Sequence, residues 1–168
     1  MYIPYLGKNP QVDQSVYTAD GAKIIGDVMI GEESTIWFNS VLRGDLAPIR
    51  IGKRCNIQDG VIGHVNTNQP LIVEDEVSVG HGAIIHGCVI GKGTLIGMGA
   101  IVLNGAEIGE YALIGAGSIV TENKRIPSYT LSLGSPAKVV RELTEEDLQR
   151  MKRTMESYVV KGREYRIV

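Results

Sequence analysis

Aromatic side chains are scarce in this chain, with one tryptophan, one phenylalanine and seven tyrosines among 168 residues. Its core must therefore be aliphatic. Cysteine is scarcer still: Cys55 and Cys88 are too few and too far apart for a disulfide framework or a short-spaced ligand pair. A reducing cytoplasm is the expected compartment. Neither sign of charge is in excess, the net charge being −2 and the sequence pI about 5.9, which removes the attraction that dominates nucleic-acid binding. No segment approaches the roughly 18 uninterrupted apolar residues of a spanning helix, and Met1-Tyr2-Ile3-Pro4-Tyr5 reads as neither an export signal nor a transit peptide. The expectation is no nucleic-acid partner and no membrane partner.

What the chain has in quantity is glycine, 21 residues, beside 43% hydrophobic side chains. An aliphatic core with many tight turns is the composition of a repetitive all-β protein. Aliphatic or β-branched residues fall at Val12, Thr18, Ile24, Ile30, Ile36 and Leu42, a spacing of six that neither a helix nor a flat strand produces. A hexapeptide period is the signature of a parallel β-helix in which three short strands and three corners make one triangular coil. The period resumes at Ile51, Ile57 and Gly63, at Val73, Val79 and Ile85, at Ile90, Ile96 and Val102, and at Ile108, Ile114 and Val120. Four residues into successive coils lie Ser34, Cys55, Val77, Thr94 and Ala112, small groups suited to an inward corner slot. Cys55 and Cys88 are accordingly read as core filling. Gly80-His81-Gly82, Gly97-Met98-Gly99 and Gly115-Ala116-Gly117 imitate a dinucleotide loop but recur once per coil with no helix after them, so they are repeat glycines.

Two surpluses break the period, one around Ala47-Pro48-Ile49 and one at Val65-Asn66-Thr67-Asn68-Gln69-Pro70; both read as loops leaving the coil at a corner. The repeat is expected to stop after Val120, with an extended, turn-rich passage through Ile126 to Lys138. Thr144-Glu145-Glu146-Asp147 then has the hydroxyl cap and first-turn acids of a helix start, and Leu148, Met151, Met155 and Val159 form one apolar stripe. The expected organisation is a β-helix domain over residues 1–126, with an extended segment and an α-helix over 127–168 packing on it.

All three histidines of the chain, His64, His81 and His86, lie in the stretch from Gly60 to Gly87. Third strands begin at Leu42, Gly63 and Ile85, so Arg43, His64 and His86 stack on successive rungs about 4.8 Å apart. Second strands begin at Ile36, Ile57 and Val79, which stacks Phe38, Asp59 and His81 on a different face of the prism. Neutral imidazole is the commonest zinc ligand, and three imidazoles with an open fourth position make a catalytic site. One chain cannot readily bring His81 to the other two, but side-by-side prisms in a closed trimer can, which predicts three identical interfacial metal sites. Asp59 is placed to orient His81, and Arg43 and Asp45 are read as an ion pair near the metal at the subunit interface.

The run Trp37-Phe38-Asn39-Ser40-Val41-Leu42-Arg43-Gly44-Asp45, then Asn56-Ile57-Gln58-Asp59-Gly60, His64 and Gly80-His81-Gly82-Ala83-Ile84-Ile85-His86-Gly87-Cys88, resembles the γ-class carbonic anhydrase-like proteins of the hexapeptide-repeat superfamily. The resemblance implies a left-handed β-helix, a homotrimer, and interfacial Zn²⁺ that Fe²⁺ or Co²⁺ can replace. It makes His64, His81 and His86 the ligands, Arg43 and Asp45 the interface pair, and Gln58 and Asn56 contacts to the bound water or substrate. The implied reaction is reversible hydration of CO₂ to bicarbonate by a metal-bound hydroxide, a lyase chemistry. Fully active members carry an acid where this chain has Leu46 and another in an acidic loop, whereas residues 65–70 here hold none. Weak or absent turnover is therefore expected, protons leaving through water or Asp59.

Two other classes compete. Gly134-Ser135-Pro136-Ala137-Lys138-Val139-Val140-Arg141 resembles the end of the coil in hexapeptide acyltransferases, where one histidine is a general base toward an acyl-CoA substrate; a metal site could equally serve thioester hydrolysis. A non-catalytic trimeric scaffold tied together by metal is the third.

Overall fold

The computed structural model describes residues 1–167 and is a left-handed parallel β-helix of about 7 turns closed by one C-terminal helix. Its inward columns follow the hexapeptide period. On the first face Val12, Ile30, Ile51, Val73, Ile90, Ile108 and Ile126 pair rung on rung. The second face carries Thr18, Ile36, Ile57, Val79, Ile96, Ile114 and Ser132; the third carries Ile24, Leu42, Gly63, Ile85, Val102 and Val120. Nearly all of these are buried. Each large aliphatic removed from water contributes about 1.5–3 kcal/mol, so the columns, not intrinsic strand propensity, hold the two-residue strands in place.

Corners need backbone that turns sharply. Asn39, Gly60, Gly82, Gly99 and Gly117 occupy one corner in successive coils, all with φ between +60° and +69°. Glycine and asparagine tolerate that left-handed region best, which explains the recurring second glycine of the Gly-X-Gly triplets.

Four expectations need correction. The repeat does not stop at Val120: Ile126, six residues on, pairs with Ile108, and Ser132, six further, lies opposite Ile114. The extended passage expected there is a strand, Thr130–Gly134, that adds to the second face and is followed by the antiparallel strand Ala137–Glu142. The surplus near Pro48 is no loop leaving the coil. Val41–Ile51 is one continuous strand whose pairing jumps from Gly26↔Gly44 to Val28↔Ile49, so the three extra residues form a bulge within it and Ile49 belongs to the core. Pro48 is tolerated because bulged residues make no ladder hydrogen bonds. Residues 66–70 do project, closed by a bridge between Asn66 and Gln69, whereas Val65, expected in the same loop, is buried in the core.

Helix α1, Glu145–Tyr165, starts at Thr144 with a reciprocal capping box to Asp147 and lies along the second face of its own coil. Met151, Met155, Val159 and Gly162 are its buried stripe. The scarce aromatics gather under its C-terminal half: Trp37 lies 5.4 Å from Tyr158, 5.3 Å from Tyr165 and 5.4 Å from Tyr17 between ring centres. No helix among the described residues is long and apolar enough to cross a membrane.

Candidate metal centre

The third-face ladder pairs Arg43 with His64 and His64 with His86. The two imidazoles lie 4.9 Å apart between ring centres, one rung, with His64 Nδ1 2.9 Å from His86 Nε2. His81 follows the second-face ladder, with Asp59 on the rung beside it. No group of three or more His, Cys, Asp or Glu side chains is gathered for a metal among the described residues of one chain.

Each histidine has one ring nitrogen held by an oxygen. His64 Nε2–H donates to Asp45 Oδ1 at 2.8 Å, His81 Nδ1 stands 2.7 Å from Asp59 Oδ2 in a close contact, and His86 Nδ1–H donates to Asn104 Oδ1 at 2.6 Å. A carboxylate only accepts, which fixes the tautomer of His64 and favours the Nδ1–H form of His81 beside Asp59. The third is settled by Asn104 itself, whose Nδ2 donates to Glu122 Oε1 at 3.0 Å and so turns its oxygen toward His86. Neutral imidazoles in these tautomers leave lone pairs on His64 Nδ1, His81 Nε2 and His86 Nε2. Those of His64 and His86 point at one another across 2.9 Å, an arrangement that repels unless a proton or a metal cation lies between. A Zn–N bond is about 2.0–2.1 Å, so one ion reaches both nitrogens, and the donor set fits a divalent metal.

The neighbouring polar groups are equally ordered. Arg43 pairs with Asp45. Burial opposes ionisation of Asp45, but the hydrogen bonds from His64 and Arg43 outweigh it and hold the carboxyl below its ordinary pKa. Gln58 Nε2 donates to Asn56 Oδ1 at 2.8 Å, and Asn56 Nδ2 donates to Ser78 Oγ at 2.7 Å. Asn56 is 1% exposed, so it braces Gln58 from behind, while Gln58 lines a cavity with His81 and Tyr158. Leu46 projects from the bulge, 55% exposed.

Two residues near the histidines have no sequence signal. Asn104 lies in a corner of three residues, Leu103-Asn104-Gly105, above the two-residue corner His86-Gly87, and the extra residue overhangs His86. Tyr158 of α1 brings its hydroxyl to 3.5 Å from His81 Nε2. Burial, then the charge of Asp59, raises the pKa of that hydroxyl, so it stays protonated at neutral pH.

Two apolar columns flank the histidines. Val41, Ile62, Ile84, Ile101 and Ile119 point outward from the third face in one ladder, with Ile62 40% exposed. Leu95, Leu113 and Leu131 form a shorter outward ladder on the second face beside His81, lining a cavity of about 390 Å³.

Comparison with known proteins adds to this geometry. The family profile "Bacterial transferase hexapeptide (six repeats)" matches residues 87–122. A carbonic anhydrase of Geobacillus kaustophilus is 57% identical over 99% of this chain and 91% of its own length. Gamma carbonic anhydrase 2, a mitochondrial protein of Arabidopsis thaliana, is 42% identical over 90% of this chain and 57% of its own. A crystal structure from Bacillus cereus, of a protein provisionally named an acetyltransferase, superposes with a TM-score of 0.97 at 54% identity, covering 98% of this chain and 96% of that one.

Proposed function

The chain belongs to the γ-class carbonic anhydrase-like proteins of the hexapeptide-repeat superfamily, and from that membership we propose that it is a metal-dependent lyase that hydrates CO₂ reversibly, with its centres at the interfaces of a homotrimer. The observation that carries the reading is the set of three imidazoles, each held beside an oxygen at one nitrogen and presenting the other away from that oxygen. His64 and His86 of one protomer and His81 of the next are the ligands. The two outward apolar ladders support the trimer, since each stands on the face that holds its share of the ligands and each buries best against the other.

Bound there, Zn²⁺, or Fe²⁺ or Co²⁺ in its place, supplies the Lewis acidity that brings the pKa of a water to about 7. The chain's own groups do the rest. Asp45, Asp59 and Asn104 fix the imidazoles. Gln58, braced by Asn56, offers its amide to an oxygen of water or bicarbonate, and Tyr158 offers a hydroxyl beside His81. Arg43, paired to Asp45, ties the bulge to the interface. Proton release has no dedicated carboxylate: Leu46 is apolar, residues 65–70 hold no acid, and Asp59 is engaged with His81. Turnover is therefore slow.

Metal content of protein purified without chelator, with CO₂ hydration assayed on the same samples and on His81→Ala, tests this. About one metal per chain, lost in the variant together with a low hydration rate, is expected. Metal without any hydration removes the lyase and leaves a scaffold or a thioester hydrolase. A second reading, acyl transfer, is favoured by the Asp59–His81 pair, in which Nε2 is free to act as a general base. It predicts acyl-CoA consumption by metal-free protein.

A further inference from the structure

We infer that Glu122, acting through Asn104, is a positioning residue that sets the tautomer of His86 and thereby its strength as a metal ligand. The inference rests on the metal-centre reading above and goes beyond its ligands. His64 and His81 are each fixed by a carboxylate, which can only accept. His86 alone is fixed by an amide, and an amide can present either its oxygen or its NH₂. Presented with NH₂, it pairs with an unprotonated Nδ1 and drives the proton to Nε2, the nitrogen that faces His64. The site then has a donor where it needs a lone pair.

Glu122 decides between the two. Its carboxylate accepts from Asn104 Nδ2 at 3.0 Å, a bond that the flipped amide replaces by oxygen facing oxygen. The chain Glu122–Asn104–His86 thus carries the directing effect of a carboxylate to a histidine that no carboxylate touches. The backbone is shaped to allow it. Gly87 has φ +50°, and a Cβ there lies 2.9 Å from Asn104 Oδ1, so the close approach of Asn104 to His86 requires glycine at the tight corner.

Groups that orient metal-bound histidines typically change metal affinity about 10–100-fold when removed. Glu122 is exposed and acts at one remove, so its effect falls at the low end of that range or below it.

The test reads two quantities on protein labelled with ¹⁵N-histidine, which gives only three imidazoles to resolve: the His86 tautomer in chelator-treated protein, by long-range ¹H–¹⁵N correlation, and the affinity for Zn²⁺ and Co²⁺ in competition with a chelator. Wild-type protein is expected to keep a proton on His86 Nδ1, also when a second proton bridges His86 Nε2 and His64 Nδ1. Glu122→Gln, a surface change that leaves the coil intact, admits the Nε2–H form and weakens both metals severalfold. Asn104→Ala weakens them about 10–100-fold. The double variant Asn104→Asp with Glu122→Gln restores an acceptor facing His86 and a donor behind it, and regains the wild-type tautomer and affinity. An unchanged tautomer in both single variants, or unchanged affinity despite a changed tautomer, overturns the inference. Wild-type protein that binds neither metal refutes the metal-centre reading, while the tautomer in the chelator-treated samples still decides the role of Glu122.

Discussion

Cys55 and Cys88 lie inside the coil at about 1% exposure, and burial pushes both thiols up to about 12. At pH 8 the thiolate fraction is then on the order of 10⁻⁴, so native protein is expected to resist alkylation by iodoacetamide and to take up two equivalents only when unfolded; prompt native labelling contradicts the buried assignment. Ser132 presents the opposite case. It occupies an inward slot that Ile36, Ile57, Ile96 and Ile114 fill in other coils, and its Oγ has no partner among the described residues. An unpaired buried hydroxyl costs about 1–3 kcal/mol, so Ser132→Ala is expected to raise stability by about 1 kcal/mol in urea unfolding, and a loss of stability means that the hydroxyl is satisfied. The pairing of His64 with His86 was legible in the sequence because strand register at period six is arithmetic. Asn104 was not, because its reach depends on one corner being a residue longer than the one below it, a difference that the period records only as a spacing shortened by one.

Helix α1 is fastened at its start by Asp147, which accepts from Arg141 Nη1 at 2.7 Å and from Thr144 N and Oγ1 at 2.9 Å each. The Arg141 hydrogen bond first, then those from Thr144, hold this carboxyl far below the usual carboxylate range. A carboxyl depressed in the folded state stabilises it above the unfolded pKa of about 3.9 and loses that contribution as pH falls toward the folded value. The stability gap between wild type and Asp147→Asn should therefore be constant from pH 7 to about 4 and narrow below it; a gap that widens on acidification reverses the sign. Thr144→Ala removes the cap and is expected to cost about 1 kcal/mol. The helix start was readable from Thr144 and its acids, and the stripe from its spacing. Which surface it covers was not, because that depends on the Trp37, Tyr158 and Tyr165 cluster, assembled across more than a hundred residues. That cluster also brings Tyr158 to His81. The bulge at residues 45–48 was visible as a surplus but read as a loop, since a surplus does not reveal whether the backbone leaves the sheet or stays in it.

On the scale of the whole molecule, one triangular coil presents its histidines on its second and third faces, and the third also carries the longer outward aliphatic ladder. Ile101→Glu lies on that ladder, one rung from Ile84, and is expected to lower the solution mass from trimer to monomer, with circular dichroism unchanged and metal lost; a trimeric mass with full metal contradicts the assignment of this face. The hand, the coil and the division of histidines between faces were all legible in the residues and the family resemblance they carry. The most direct measurement of the central claim is complementation. His81→Ala has an intact third face, and His64→Ala with His86→Ala an intact second face; neither alone should hold metal. Mixed by unfolding and refolding together, random trimers restore one complete site in each mixed assembly, or about a quarter of a metal per chain on average. Recovery near that level is the predicted result. Metal retained by either variant alone, or none regained by the mixture although mixed trimers form, contradicts a centre shared between two chains.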